Sequence, residues 1–89
     1  MPTEIIHPYI TREKGVGHSK SLIRGTRTRV INIIVYHKLG YTPEELAREF
    51  PHLSLSQIYD ALSYYYENMT QIDSEIDNEK EENLINLVK

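Results

Sequence analysis

The chain has 89 residues, of which 39% are hydrophobic, and it carries no cysteine and a formal net charge of −3. This length allows a single domain with one modest core, and the lack of cysteine excludes disulfides and thiolate metal sites. The longest apolar run, Ile33–Tyr36, is too short to span a bilayer, and residues 1–4 lack the basic and apolar features of a signal peptide. We therefore expect a cytoplasmic protein without a membrane partner.

The N-terminal third of the chain is predicted to form a short β-ribbon and a basic arm. Tyr9–Thr11 and Leu22–Arg24 favour strands, and the glycines between them interrupt the strand pattern. Gly25 permits a tight turn, and Thr26 or Thr28 supplies a side chain suited to capping the helix that follows. A two-stranded ribbon is marginal alone, so we expect it to pack against another surface.

Three helices are predicted between residues 30 and 69. The first, Val30–Leu39, is followed by Gly40, a residue that commonly ends helices. The second and third, Pro43–Phe50 and Leu55–Met69, each begin with a capping box, in which two residues three positions apart bond each other's backbone amides. The boxes pair Thr42 with Glu45 and Ser54 with Gln57. The short second helix, a turn of about four residues and the third helix, braced by the first, follow the helix-turn-helix plan.

The first and third helices have different apolar patterns. Apolar residues occupy nearly every side of the first helix, so we predict that a second copy of the chain covers part of it. The residues predicted for this dimer contact are Val30, Ile31, Ile34 and Val35. The third helix has one apolar stripe. Its predicted inward residues are Leu55, Ile58, Tyr59, Leu62, Tyr65, Tyr66 and Met69, with Tyr64 facing outward.

Charge is divided unevenly along the chain. Residues 1–40 carry seven Lys or Arg against two acids, and residues 41–89 carry three against eleven, which gives +5 and −8. Such a division predicts either that the two halves bind different partners or that they bind each other, within one chain or across a dimer.

The basic arm is the predicted electrostatic contact with DNA. The third helix has no Lys or Arg, so DNA phosphates would be met mainly by the arm, while Ser and Gln at the start of that helix would reach phosphates or bases. Arg27 could equally pair with an acid of a neighbouring helix. The candidate DNA-binding residues are Lys20, Arg24, Arg27, Arg29, Ser54, Ser56 and Gln57.

The last twenty residues combine many acids with few apolar side chains. Between Asp73 and Glu82 six residues are acidic and only Ile76 is apolar, which is too little apolar surface for independent folding. We therefore predict a tail, helical or disordered, that folds on a protein partner. The candidate partner-binding residues are Ile72, Ile76, Leu84, Ile85, Leu87 and Val88. The predicted organisation is thus an arm (1–29), a helix-turn-helix core (30–69) and an acidic tail (70–89) in one mainly α-helical domain.

The sequence has no constellation typical of an enzyme. His7, His18, His37 and His52 lack the spacing of metal ligands on a helix. The acidic segment lacks the glycine of a calcium-binding loop, and no nucleophile elbow or phosphate-binding glycine loop occurs. We expect a binding protein with no cofactor and no small-molecule substrate.

Several separated blocks resemble the family called domain of unknown function 433. In chain order they are Ile23–Arg27, Gly40–Glu45, Phe50–Leu53 and Ala61–Tyr65. The chain departs from the family pattern in two places. His18–Ser21 stands where the family usually has a Gly-Gly-basic-Pro run, and Thr28-Arg29 stands where an apolar-Pro pair is usual.

The resemblance implies a homeodomain-like helix-turn-helix protein that acts as a VapB-like antitoxin of a type II toxin–antitoxin system. Its implied partner is a nuclease toxin of PIN-like fold. In this hypothesis the arm and the helix-turn-helix bind operator DNA, and the acidic tail binds and inhibits the toxin. The alternative is a protein-interaction module of the same fold that binds no DNA. DNA affinity across a salt series distinguishes the two.

Overall fold

The computed structural model describes residues 7–14 and 19–87. In chain order its elements are β1 (Ile10–Lys14), β2 (Ser19–Ile23), α1 (Val30–Lys38), α2 (Pro43–Glu49), α3 (Leu55–Glu67) and α4 (Met69–Leu87). The strands form an antiparallel hairpin and the helices surround one core, so the fold is mainly α with an N-terminal β-ribbon, as predicted. Within these residues, none of the helices combines the length and hydropathy needed to cross a membrane.

The hairpin packs against the helices through alternate residues of its strands. Ile10 pairs with Ile23 in the antiparallel register, and both side chains are buried. Ser21, two residues before Ile23, is also buried, and its hydroxyl is 2.8 Å from the phenol oxygen of Tyr64 on α3. These contacts provide the second surface that a two-stranded ribbon needs in order to be stable.

Both predicted capping boxes are present at the starts of α2 and α3. The Glu45 amide donates to Thr42 Oγ1 at 3.1 Å, and the Thr42 amide donates to the Glu45 carboxylate at 2.8 Å. The corresponding bonds between Ser54 and Gln57 measure 3.2 and 2.7 Å. Gly40, just after α1, has a φ of 104°, which other residues rarely adopt. The predicted starts of the three helices are therefore confirmed, whereas α3 ends at Glu67 and Met69, predicted as its last residue, begins α4.

The core is formed by large aliphatic side chains from β2 and all four helices. Complete burial of one such side chain stabilises the fold by about 1.5–3 kcal/mol relative to exposure. The fully buried ones are Ile23, Val30, Ile33, Ile34, Leu46, Ile58 and Ile72. Because Ile72 belongs to α4, the last helix shares the core of the helix-turn-helix unit.

The prediction that α1 carries more apolar surface than one chain buries is wrong for most of the helix. Val30, Ile31 and Ile34 are at most 6% exposed within the single chain. α1 lies in the centre of the fold and contacts β2, α2, α3 and α4, which cover most of its sides. Val35 and Leu39 remain 39% and 71% exposed. The homodimer stays a prediction, and its contact on α1 is restricted to these two residues.

The buried face of α3 also differs from the predicted one. Tyr64, expected to face outward, is buried, whereas Tyr59 and Tyr66, expected to face inward, are 51% and 56% exposed. Leu55 and Met69 are likewise exposed. The physical reason is the hairpin, which covers the side of α3 that holds Tyr64 and so moves the buried stripe around the helix.

The predicted acidic tail is a helix that packs on the rest of the chain. Ile72 and Ile76, one turn apart on α4, are 1% and 6% exposed and belong to the core. Their prediction as partner-binding residues is therefore corrected, because their side chains are buried in the core of the same chain and offer no surface to a partner. The remaining candidates, Leu84, Ile85, Leu87 and Val88, have side chains that lie outside the described part of the chain.

Candidate nucleic-acid interface

A tight loop between β2 and α1, residues 24–29, carries three arginines and is called the basic loop. Gly25 has a φ of 80°, so the predicted tight turn is present. The Thr26 hydroxyl donates to the Ile23 carbonyl at 2.8 Å and accepts from the Thr28 amide at 3.0 Å. Thr26 therefore braces the loop itself, and the first residue of α1 is preceded by Arg29 without a side-chain cap.

The basic loop lies next to the turn of the helix-turn-helix. Thr28 Oγ1 and His52 Nε2 are 2.6 Å apart, and His52 is in the connection between α2 and α3. The contact holds the loop beside the start of α3, which is the helix that enters the major groove in helix-turn-helix proteins. These two residues are 24 positions apart, so no local sequence signal predicted the contact.

Arg24 and Arg27 have different surroundings within the basic loop. Arg24 donates from Nε to the Pro8 carbonyl at 3.0 Å and from Nη2 to the Ile10 carbonyl at 3.1 Å, so it secures the entry into β1. Arg27 is exposed, and it forms no ion pair with residues 7–12 or 20–79, whose side chains the structure describes. Its charge is therefore available to a phosphate.

Arg29 is shared between the loop and α4. Its Nη1 lies 2.5 Å from Glu79 Oε2, which is an intrachain ion pair. Arg29 also borders an open concavity between β2 and the basic loop. The residues that line it are Lys20, Leu22, Thr26, Arg27 and Arg29. Three of the four basic candidates thus meet at one place on the surface.

The exposed face of α3 is polar and aromatic. Ser54 Oγ and Gln57 Oε1 accept the two capping bonds, so the Ser54 hydroxyl and the Gln57 side-chain amide nitrogen can still donate to a phosphate or a base. Ser56 is exposed and lies outside the capping bonds. Leu55 and Tyr59 are exposed beside it. All three candidates at the start of this helix therefore retain a donor, and Ser56 is the one that takes no part in the cap.

A histidine from the N-terminal segment contacts two acids of α3. His7 Nδ1 is 2.7 Å from Asp60 Oδ1, and His7 Nε2 is 2.5 Å from Glu67 Oε1. Asp60 Oδ2 also accepts the Tyr9 amide at 2.9 Å. Burial lowers the pKa of His7, but its hydrogen bonds to the two carboxylates outweigh burial and raise the pKa above the ordinary 6.5. We call His7, Asp60 and Glu67 the histidine clasp.

The clasp changes how α3 would approach DNA. Asp60 and Glu67 repel phosphates, and His7 in its charged form offsets one of their two negative charges. Both ring nitrogens of His7 are engaged, which leaves none for a metal ion. Across the part of the chain that the structure describes, no group of three or more His, Asp or Glu residues is arranged to hold a metal.

A family model described as a protein of unknown function, DUF433, matches residues 10–65, which is more than half of the chain. The chain belongs to the DUF433 family. A crystal structure of a DUF433 member from Anabaena variabilis is 33% identical, with a TM-score of 0.68, and the similarity covers 78% of this chain and 68% of that chain. No curated protein matches. The family match spans β1 to α3 and so includes the basic loop and the helix-turn-helix.

In this DUF433 chain the basic and acidic halves contact each other. Lys38 Nζ on α1 is 2.8 Å from Asp73 Oδ1 on α4, and the Tyr65 hydroxyl donates to the same carboxylate at 2.9 Å. The Lys38 hydrogen bond lowers the pKa of Asp73, and the reciprocal contact raises the pKa of Lys38. Together with the Arg29–Glu79 pair and the histidine clasp, these bonds show that the uneven charge is partly neutralised within one chain.

Proposed function

We propose that this DUF433 chain is a cytoplasmic antitoxin of a type II toxin–antitoxin system, which binds operator DNA as a homodimer and inhibits a nuclease toxin of PIN-like fold. The role is one of binding, without a cofactor or a small-molecule substrate. The Thr28–His52 contact carries the DNA-binding part, because it puts the basic loop beside the start of α3. A groove-entering helix flanked by phosphate-binding cations is the usual arrangement in helix-turn-helix proteins.

The toxin-binding part is supported by the family resemblance and by the acidic character of α4. Six acids between Asp73 and Glu82 would attract a basic surface, such as the RNA-binding cleft of a nuclease. Since Ile72 and Ile76 are committed to the core, the toxin contact is assigned to the segment after Glu79.

Arg27→Ala should weaken the binding of duplex DNA to a similar extent for all sequences. The loss of one phosphate contact lowers the slope of log affinity against log salt by about one unit. The fold should be unchanged, because Arg27 is exposed. Fluorescence anisotropy of a labelled duplex at several salt concentrations measures the slope.

Lys38→Ala is the matched control for this measurement. It also removes one positive charge, but at the end of α1 opposite to the basic loop, where Lys38 pairs with Asp73. We expect it to retain the wild-type slope. Equal slopes for the two variants would show that Arg27 does not contact a phosphate.

A chain that ends at Glu79 should remain folded and should no longer inhibit the toxin. It keeps Ile72 and Ile76 in the core and the Arg29–Glu79 pair, and it lacks residues 80–89 with the remaining apolar candidates. Circular dichroism checks the fold, and inhibition of the purified nuclease checks the function. Inhibition at wild-type potency would move the toxin contact to the folded body.

The second candidate function is a protein-interaction module that binds no DNA. It is favoured by the exposed side of α3, where Leu55, Tyr59 and Tyr66 are spaced by four and seven residues and form a stripe without a cation. Tyrosine is enriched in protein interfaces. If the purified chain fails to bind duplex DNA even at low salt, this function becomes the better account of the fold.

A further inference from the structure

The concavity between β2 and the basic loop concentrates positive charge in a chain whose net charge is −3. Lys20, Arg27 and Arg29 all contribute to its lining. Lys20 and Arg27 are exposed, and neither forms an ion pair with a residue whose side chain the structure describes, namely residues 7–12 and 20–79. A concave surface lined by cations attracts anions more strongly than isolated surface charges do.

Arg29 is the cation of this site that already has an anionic partner. Its Nη1 pairs with Glu79 Oε2 at 2.5 Å, whereas its Nε is buried and has no hydrogen-bond partner among the residues that the structure describes. A guanidinium binds phosphate or carboxylate best through two parallel N–H groups. Because the bond to Glu79 leaves Nε unpaired, the ion pair uses only part of the bonding capacity of Arg29.

We propose that Lys20, Arg27 and Arg29 form a phosphate-binding site, and that Glu79 of α4 competes with the phosphate for Arg29. This inference rests on the proposed function in taking phosphates of the DNA backbone as the ligand. Free phosphate has the same chemistry and is the other source. The carboxylate of Glu79 occupies the guanidinium in the absence of the ligand, so α4 weakens the site.

The competition requires no unfolding of α4. Ile72 and Ile76 anchor the first half of the helix in the core, and Glu79 lies almost one turn beyond Ile76. The side chain of Glu79 is 36% exposed, so a rotamer change carries its carboxylate into solvent. An arriving phosphate then gains all of the cationic groups that line the concavity.

Glu79→Gln tests the competition, and Asp77→Asn is its matched control. Both changes remove one negative charge from α4, and Asp77 is exposed two residues away. Their general effect on the protein's field is therefore similar, and the difference between them reports the contact with Arg29. We expect Glu79→Gln to bind duplex DNA roughly two- to fivefold more tightly than Asp77→Asn, which is the range for releasing a surface ion pair. Equal affinities would overturn the competition.

Titration with inorganic phosphate separates this inference from the proposed function. Backbone amide shifts of residues 26–29 should saturate with phosphate, and at lower concentration in Glu79→Gln than in Asp77→Asn. If they do so while duplex DNA does not bind, the phosphate site stands and the DNA-binding function fails. If DNA binds and the two variants behave alike with both ligands, the function stands and the competition fails. The absence of saturable shifts with either ligand would refute the site.

Discussion

Ile72→Ala should lower the free energy of unfolding by about 2–5 kcal/mol, the range for truncating a buried isoleucine. The side chain is 1% exposed and fills the core between α4 and the rest of the fold. A chain of this length has a total stability of about 5–13 kcal/mol, so the loss is a large part of the whole. Urea unfolding followed by circular dichroism measures it.

Asp77→Ala is the control, because Asp77 is exposed on the same helix. A surface change of this kind alters stability by no more than about 0.5 kcal/mol. The two variants have the same helix-favouring replacement, so they differ only in the contact that is lost. If Ile72→Ala were as mild as the control, α4 would not be docked in solution, and the tail would again be expected to fold only on a partner.

The docking of α4 was not predictable from composition. Counting apolar residues between Asp73 and Glu82 finds only Ile76, which is typical of a solvated segment. The helix is stabilised instead by two isoleucines one turn apart and by polar bonds to residues 35 or more positions earlier, such as Lys38–Asp73. Such long-range bonds leave no periodic signal in the sequence, so the segment looks unable to fold.

Local sequence signals gave correct predictions where the conformation depends only on residues close together in the chain. The capping boxes at Thr42 and Ser54 need only residues three positions apart, and both formed. The turn at Gly25 depends only on the ability of glycine to adopt a positive φ. The buried side of α3, by contrast, depends on the position of the hairpin. The spacing of apolar residues along the helix carries no information about that position. Tyr64, predicted to be exposed, is therefore buried, and Tyr66, predicted to be buried, is exposed.

In the candidate site, too, the sequence indicates which residues lie close together but not the contacts that they make across the fold. The sequence shows that Arg24, Arg27 and Arg29 lie close together in the chain, and it leaves open whether Arg27 pairs with phosphate or with an acid of a neighbouring helix. The structure gives them three different surroundings, namely backbone carbonyls, solvent and the carboxylate of Glu79. It also adds His52, which positions the loop beside α3. Which cation is available depends on contacts across the fold, so only the presence of the cluster was predictable.

The histidine clasp should make stability depend on pH in a defined direction. The pKa of His7 is raised in the folded chain above the ordinary 6.5, because its bonds to Asp60 and Glu67 favour the charged form. The stabilisation is therefore fully present below pH 6.5 and is lost as the pH rises through the raised value. Solvent screening limits this pH-dependent part to about 0.5–1 kcal/mol.

Asp60→Ala should destabilise the chain by about 1–3 kcal/mol at about pH 5, because it leaves His7 and the Tyr9 amide without their shared carboxylate. The cost should become smaller as the pH rises through the raised pKa of His7, because the wild-type chain then loses the charged part of the contact. Urea unfolding of the wild type and the variant across this interval measures both values. Asp77→Ala, which touches no histidine in the described chain, should show no such dependence on pH. A cost of Asp60→Ala that stays constant or grows with pH would mean that His7 is not held in its charged form by α3.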